Sequence, residues 1–153
     1  MASLLLKGEK LANQSYLEAD TPLVPVGSHC ILELYDCPKD LLNDVDFIKK
    51  TLEEGVKEAD STLLKELTHQ FEPYGVTALA LLAESHVSLH TWPEIGYIAV
   101  DMFTCGEHAE PEKACKYLLK AFQAKNHILL KIQRGRLTPQ LKKLEESLLA
   151  GAS

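Results

Sequence analysis

Three apolar or β-branched segments follow one another in the middle of the chain with short connections between them. The first, 76–83, is almost entirely apolar, the second, 87–90, alternates apolar and polar residues, and the third, 97–103, carries Asp101 as its one acid. These compositions are typical of strands. A parallel pair of strands needs a crossover of roughly a dozen residues, which is longer than either connection. The spacing therefore predicts adjacent antiparallel strands.

An amphipathic helix is predicted on each side of these strands along the chain. Upstream, apolar residues recur at intervals of three and four over residues 41–56, and Asp40 is available as a cap after Pro38. Downstream, Pro111 stands at a favoured first helical position, and apolar residues then mark one face as far as Phe122. Two further strands are predicted outside the helices, at 24–35 and at 127–132.

The order of strand, helix, several strands, helix and strand is typical of an α+β fold. We expect a two-layer α/β sandwich with an antiparallel sheet, in a single domain that occupies residues 23–136. Residues 1–22 are polar and carry no sustained period, so they are expected to form an N-terminal extension. Residues 137–153 form a charged C-terminal tail, which is expected to be helical over 141–149.

The bulk composition excludes several classes of partner. The chain has 153 residues, of which 46% are hydrophobic and 25% charged, as expected for one globular domain. The formal net charge of −6 provides no basic surface for nucleic acid. No apolar run approaches the roughly 20 residues of a membrane span, and none suits a signal peptide, so we expect a cytoplasmic protein with no membrane partner. The 4 cysteines have neither zinc-module nor disulfide-scaffold spacing and are expected to be reduced thiols.

The segment 83–94 places an acid, several hydroxyls and two imidazoles among strands that otherwise look buried. Burying such groups without partners costs about 1–3 kcal/mol each, so a hydrogen-bond network or a functional site is implied. Strand periodicity puts His86, Ser88 and His90 on one face and the apolar residues between them on the other. The pattern predicts a polar face directed into a cleft.

Three interpretations of this cluster are open on the residues alone. A Ser–His–acid hydrolase would use Ser85 or Ser88, although no GxSxG motif surrounds either serine. A metal site could be formed by His86, His90 and Glu94, with only alternate-residue spacing in its favour. The third interpretation is a hydrogen-bonded polar cluster at a strand end that carries no chemistry.

A longer set of residues resembles one known family. The set consists of the run Ala83-Glu84-Ser85-His86-x-x-x-His90-Thr91-Trp92-Pro93-Glu94, the run Asp101-x-Phe103-x-Cys105-Gly106, the upstream His29-x-x-x-Glu33-x-Tyr35-x-Cys37 and Phe71-x-Pro73-x-Gly75-Val76, and the downstream Lys125 and Arg134-Gly135. Together these residues closely resemble the self-processing core of the prokaryotic S-adenosylmethionine decarboxylase proenzymes, a pyruvoyl-dependent family. The similarity spans about residues 26 to 136, and no metal is implied.

The resemblance implies a chain that cuts itself between Glu84 and Ser85 into two chains, 1–84 and 85–153. Ser85 would become a covalent pyruvoyl group, the electron sink that decarboxylation of an amino acid requires. His90 would remove the α-proton during self-cleavage, and Cys105 would return a proton to the substrate carbon during turnover.

The remaining site residues implied by the resemblance assist processing or bind the substrate. Thr77 matches a processing serine of the family, and its additional methyl group limits its rotamers. Its hydroxyl would hydrogen-bond the developing oxyanion. Phe71 would stack on adenine, and Glu94 would hold the ribose hydroxyls.

The expected activity is conversion of S-adenosylmethionine to decarboxylated S-adenosylmethionine and CO2 for spermidine biosynthesis. The alternatives are an arginine or ornithine decarboxylase with the same pyruvoyl machinery, and an uncleaved regulatory subunit that binds an active paralogue. The expected partners are a small amino-acid-type substrate and the chain's own cleaved half. By the resemblance, two such two-chain protomers form a homodimer and share active sites at their interface.

Overall fold

The architecture is an antiparallel sheet with helices on one face, and it confirms the expected two-layer α/β sandwich. The computed structural model describes residues 25–135, 145–147 and 149–150. In chain order, the elements are β1 (Gly27–Tyr35), α1 (Lys39–Asn43), α2 (Val45–Glu58), β2 (Leu63–Gln70), β3 (Val76–Leu82), β4 (Ser85–Trp92), β5 (Tyr97–Cys105), α3 (Pro111–Ala121) and β6 (Asn126–Arg134).

The described residues form one sheet of 6 strands in the order β2-β3-β4-β5-β1-β6. Neighbouring strands are antiparallel throughout. The strands β2 to β5 are adjacent in both sequence and space, which for β3 to β5 confirms the prediction from their short connections. Helix α3 then returns the chain across the sheet, which places β6 beside β1 at the far edge.

Alternation along the inner strands β1, β3, β4 and β5 separates a buried face from an open face. On β5, for example, Ile98, Val100 and Met102 are buried, whereas the residues between them are partly exposed. The buried face packs against α2 and α3, whose apolar stripes include Ile48, Leu52 and Leu118. Phe122 at the end of α3 is fully buried in the same layer. The helices α2 and α3 thus cover one face of the sheet, and the described residues leave the other face to solvent.

The single helix predicted over residues 41–56 is two helices. The chain bends at Asp44, which has an extended backbone and whose carboxylate accepts a hydrogen bond from the Phe47 N–H at 2.9 Å. The predicted cap, Asp40, instead lies in the first turn of α1 and makes no capping hydrogen bond. An aspartate that caps the second helix satisfies an N–H that the bend leaves free, and this compensates for the break.

Strand β2 was missed by the sequence prediction because it lies at the edge of the sheet. Its residues are intermediate or exposed, so they do not show the apolar alternation of a half-buried strand. The strands β4 and β5 also extend beyond their predicted apolar centres, to Ser85 and Cys105. These extensions contain Ser85 and Cys105, which are two of the predicted catalytic residues.

Two predicted segments lie wholly or partly outside the described residues. The N-terminal extension, 1–22, is one of them. Of the predicted tail helix, residues 145–147 and 149 are described and are helical. No helix in the described residues is long and apolar enough to cross a membrane.

Candidate active site

The open face of the sheet carries a polar centre. His29 Nε2 and Asp101 Oδ1 are 3.2 Å apart, and the Tyr97 hydroxyl donates to the Glu33 carboxylate. Burial, together with the adjacent carboxylate, raises the pKa of Tyr97, so this hydroxyl remains protonated and able to donate. The histidines of β4 lie on this face as predicted, while Val87 and Leu89 are buried against the helices.

Ser85 is the first residue of β4 and follows a two-residue turn formed by Ala83 and Glu84. Its φ of 147° is unusual for a residue other than glycine. Such a conformation stores about 1–3 kcal/mol of strain. The Ser85 Oγ lies 3.1 Å from the His86 Nδ1. The peptide bond that is expected to be cut therefore adjoins a strained residue with a hydroxyl nucleophile.

Glu84 is held at both its side chain and its carbonyl. The carboxylate, which is 7% exposed, accepts a hydrogen bond from the Thr62 N–H at 2.9 Å and lies 3.5 Å from the His108 Nε2. The Thr62 N–H holds the pKa of this carboxyl below its ordinary value, against the opposing effect of burial. The Glu84 carbonyl oxygen accepts from the Cys105 N–H at 2.8 Å. A fixed N–H donor at this oxygen would stabilise negative charge that develops there.

Cys105 ends β5 opposite Gly27 of β1. A Cβ at Gly27 would lie 2.4 Å from the Thr104 carbonyl oxygen and 3.1 Å from the Cys105 sulfur. Only glycine permits this approach. The Cys105 thiol is partly exposed, unlike the buried thiols of Cys30, Cys37 and Cys115, and all four are free. Gly27 was not identified from the sequence, because its role depends on the register of β1 against β5.

The second group of predicted residues lies at the other end of β4. Thr77 Oγ1 and His90 Nδ1 are 2.8 Å apart across the β3–β4 pair. Both border a cleft of about 370 Å³ that also contains the predicted substrate residues Phe71 and Glu94. The structure therefore brings four predicted residues to one cleft. The complete lining is Phe71, Tyr74, Gly75, Thr77, His90, Thr91, Trp92 and Glu94.

A second cleft of about 400 Å³ adjoins the first and shares Tyr74 and Glu94 with it. Asn43 lines it and organises the loop after β2, since its Oδ1 accepts from the Gly75 N–H at 3.0 Å. Lys39 Nζ donates to the Glu94 carbonyl oxygen at 3.0 Å. Tyr74 and Asn43 were not predicted as site residues from the sequence. Tyr74 carried a sequence signal, because it lies inside the Phe71-x-Pro73-x-Gly75 pattern.

A single chain does not bring the two groups together. Ser85 and His90 are five residues apart on one strand, which corresponds to about 17 Å at the usual rise of a strand. Cys105 lies at the Ser85 end, because its N–H bonds to Glu84. The base that was expected to act on Ser85 is thus out of reach within the same chain.

The competing interpretations of the cluster are weakened by the same geometry. His86 and His90 are four residues apart on β4, about 14 Å, which is too far for a shared metal ion. The described residues contain no group of three or more possible metal ligands. His86 contacts Ser85 and the Phe103 ring, and no carboxylate partner completes a hydrolase triad among the described residues.

Residues 28–135 match the sequence model of the S-adenosylmethionine decarboxylase family. The chain belongs to this family. It is 61% identical over 104 residues to an S-adenosylmethionine decarboxylase proenzyme of Synechococcus sp. (strain WH7803), covering 68% of this chain and 81% of that one. A proenzyme of the same description from Methanococcus aeolicus is 45% identical over 112 residues, covering 73% and 96%. The crystal structure of the adenosylmethionine decarboxylase from Aquifex aeolicus VF5 superposes with a TM-score of 0.70 at 34% identity, covering 76% of this chain and 96% of that one.

The family uses a covalently bound pyruvoyl group that forms by self-cleavage at a serine. The residues at the start of β4 fit this requirement. A serine stands directly after a turn, its backbone is strained, and the preceding carbonyl already accepts a hydrogen bond from a backbone N–H. Cleavage at this position would release the strain and leave residue 85 at a chain end on the sheet.

Proposed function

We propose that the protein cuts itself between Glu84 and Ser85 and then decarboxylates S-adenosylmethionine with the group formed at residue 85. The products are decarboxylated S-adenosylmethionine, which serves spermidine biosynthesis, and CO2. The observation that carries this proposal is the strained Ser85 beside a Glu84 carbonyl that is hydrogen-bonded to the Cys105 N–H. The family membership of the chain supports the substrate.

Self-cleavage begins when the Ser85 Oγ adds to the Glu84 carbonyl carbon. The C–N bond then breaks, the Ser85 nitrogen takes the proton of the hydroxyl, and an ester replaces the peptide bond. A base removes the Ser85 α-proton, a Cα=Cβ double bond forms as the Cβ–Oγ bond breaks, and the backbone carboxylate of residue 84 leaves as the new C-terminus. The Cβ of residue 85 then takes up a proton and becomes a methyl group, while the nitrogen forms an imine with Cα. Water then replaces the nitrogen at the Ser85 Cα, releasing ammonia. The resulting ketone supplies the electron sink for decarboxylation.

His90 is the base for the α-proton, and we propose that it acts on Ser85 of the partner subunit. Imidazole suits this role because it can take up and release a proton near physiological pH. The Thr77 hydroxyl contacts His90 at 2.8 Å, so it fixes the orientation of the ring. The separation of about 17 Å between Ser85 and His90 within one chain supports transfer between subunits rather than within one.

The open face of the sheet supports a homodimer that assembles sheet on sheet. One cross-strand row runs from Leu67 through Leu79, Ser88, Asp101 and Ile31 to Leu130. Its polar centre is flanked by exposed apolar margins, which a monomer seldom leaves in water. The exposed members of these margins are Leu67, Leu79 and Leu81 on one side and Ile128, Leu130 and Ile132 on the other.

A twofold axis that runs along this row, and so across the strands, would reverse the strand direction of the partner sheet. The Ser85 end of one protomer would then face the His90 end of the other, and two equivalent sites would result. Each site would combine Ser85 and Cys105 of one subunit with the cleft of its partner. The incomplete site of the single chain is explained by this arrangement.

The cleft beside His90 suits an adenosyl substrate. Phe71 is half-exposed and available for stacking, and its ring makes an edge contact with His69. The Glu94 carboxylate can accept two hydroxyl hydrogen bonds, and its charge favours the nearby sulfonium. Cys105 would then deliver the proton to the α-carbon of the product.

Two measurements on the purified protein test this function. Intact mass under denaturing conditions should show two chains, 1–84 and 85–153. The second chain should be lighter, by the mass of one ammonia, than the same chain with an ordinary N-terminal serine. Labelled CO2 should be released from carboxyl-labelled S-adenosylmethionine in preference to arginine or ornithine. A single uncut chain without activity would indicate a regulatory subunit, and preference for a basic amino acid would contradict the substrate assignment while retaining the cleavage.

A further inference from the structure

Thr104 carries a buried hydroxyl that lacks a partner. The residue is 2% exposed, and its Oγ1 has no hydrogen bond to any of the described residues. Buried Thr91, in contrast, donates to the Leu42 carbonyl and accepts from the Val76 N–H. Because an unpaired buried hydroxyl lowers stability, its presence in a well-packed sheet needs a specific reason.

The register of the sheet places Thr104 beside the residue that is cut. Ser85 and Thr104 are directly opposite on β4 and β5. The bond from the Cys105 N–H to the Glu84 carbonyl makes that neighbouring pair the hydrogen-bonded one. Ser85 and Thr104 therefore form a non-hydrogen-bonded pair, the kind whose Cα atoms approach to about 4.5 Å. The Thr104 side chain is therefore the cross-strand neighbour of Ser85.

The surroundings hold Thr104 in place, whereas Ser85 has a strained backbone. The Thr104 carbonyl is closely packed against Gly27, where an added Cβ would lie 2.4 Å away. Ser85 instead has a φ of 147° and directs its Oγ to His86. A fixed donor therefore stands beside a strained residue without being paired to it.

We propose that Thr104 is a catalytic residue of self-cleavage, whose hydroxyl donates to the Ser85 nitrogen as the Glu84–Ser85 bond breaks. An amide nitrogen shares its lone pair with the carbonyl and cannot accept a hydrogen bond. When the Ser85 Oγ bonds to the Glu84 carbon, this resonance is lost and the nitrogen becomes an acceptor. The Thr104 hydroxyl acquires a partner only at that point.

An interaction that exists only during the reaction lowers the barrier, because it does not also stabilise the starting state. In the balanced step, the Thr104 hydroxyl passes its proton to the Ser85 nitrogen and takes up the proton that the Ser85 hydroxyl releases, the C–N bond breaks, and the ester forms. The Thr104 hydroxyl assists by hydrogen-bonding the departing nitrogen, which is otherwise a poor leaving group. This inference rests on the proposed self-cleavage.

The test compares Thr104→Val and Thr104→Ser with wild type in the full chain, by the rate at which the two chains appear in intact-mass spectra. We expect T104V to cleave about tenfold more slowly, the size of one hydrogen bond, and T104S to cleave close to the wild-type rate. The matched control is Thr51→Val, at a buried threonine of α2 away from Ser85. It should cleave like wild type.

Two further readouts distinguish this role from a packing effect. In an uncut Ser85→Ala background, adding T104V should raise the melting temperature, because it removes an unpaired hydroxyl. Hydroxylamine, which cuts an ester once formed, should not restore the rate of T104V. Three results would each overturn the inference. They are cleavage of T104V at the wild-type rate, cleavage of T104S as slow as that of T104V, and restoration of the T104V rate by hydroxylamine. Failure of the wild-type chain to cleave would instead overturn the proposed function.

Discussion

The two ends of β4 differ in a way that matches two different tasks. At the Ser85 end, the backbone is strained, the carbonyl of Glu84 is fixed by an N–H, and Gly27 allows strands to approach closely. At the His90 end, Thr77 and His90 lie within hydrogen-bond distance of each other and border a cleft of about 370 Å³. Covalent rearrangement of the chain needs a rigid backbone, whereas binding a nucleoside needs open volume. One strand provides both, but about 17 Å apart.

This separation has a structural consequence. Neither end forms a complete site, and the row between them is polar at Ser88 and Asp101 but apolar at its margins. In the proposed homodimer, such a face would stabilise the dimer through its apolar margins and leave the polar centre to the chemistry. Dimerisation and catalysis would then be linked, since a monomer would contain every proposed site residue without bringing Ser85 and His90 together.

The largest expected effect comes from supplying Ser85 and His90, at the two ends of β4, from different chains. Ser85→Ala and His90→Ala should each abolish cleavage alone, because one removes the nucleophile and the other the base. When the two variants are co-expressed with different tags, a mixed dimer has one site with both Ser85 and His90. We expect the H90A chain to be cut in that dimer, while the S85A chain stays intact, as measured by intact mass after tandem affinity purification.

The control is a mixture of S85A with the double variant S85A/H90A, which contains no Ser85 and should show no cut chain. If the H90A chain remains uncut in the mixed dimer, His90 and Ser85 act within one chain and the shared site is wrong. A cut H90A chain in the absence of S85A would show that His90 is not the base.

A moderate effect is expected from releasing the strain at the Ser85 end. In two uncut variants, Ser85→Gly should be more stable than Ser85→Ala by about 1 kcal/mol, because glycine adopts positive φ without a steric penalty. This corresponds to a rise of a few degrees in melting temperature. Thermal unfolding of both variants at one pH measures the difference.

Ser88 provides the matched comparison, because it lies on the same strand without a positive φ. There the order should reverse, with Ser88→Gly less stable than Ser88→Ala by about 0.5–1 kcal/mol. Equal stability of the Gly and Ala variants at position 85 would contradict the strain on which the self-cleavage proposal depends.

The same contrast explains what could be read from the sequence. Periodicity correctly placed His86, Ser88 and His90 on one face, because alternation is a local property of a strand. Periodicity could not identify the edge strand β2, because its residues are exposed and do not alternate. It also could not identify the break at Asp44, because that break depends on a single capping hydrogen bond. The strain at Ser85 was equally hidden, since positive φ is usually signalled by glycine.

Residue identities gave the chemistry of the site but not its geometry. The resemblance named Phe71, Thr77, His90 and Glu94, and these residues do share a cleft. Ser85 lies at the opposite end of the same strand from His90. This separation can be counted only once β4 is known to be continuous from Ser85 to Trp92. The roles of Gly27 and Thr104 require the register of three strands, which a single sequence does not specify.

The smallest expected effect concerns how Glu84 is anchored beside the bond at which we propose that the chain is cut. The Thr62 N–H, assisted by the Glu84 backbone N–H and His108, lowers the folded-state pKa of Glu84 below the ordinary value of 4.5. A lowered carboxyl pKa adds stability that is fully present above the unfolded pKa and is lost as the pH falls through the folded pKa. In the uncut S85A background, Glu84→Gln should therefore lower the melting temperature near neutral pH, and this deficit should shrink between about pH 5 and pH 3, since glutamine does not titrate. Paired thermal melts across this range measure the deficit. A deficit that is constant with pH would show that ionisation of Glu84 does not contribute to holding the turn.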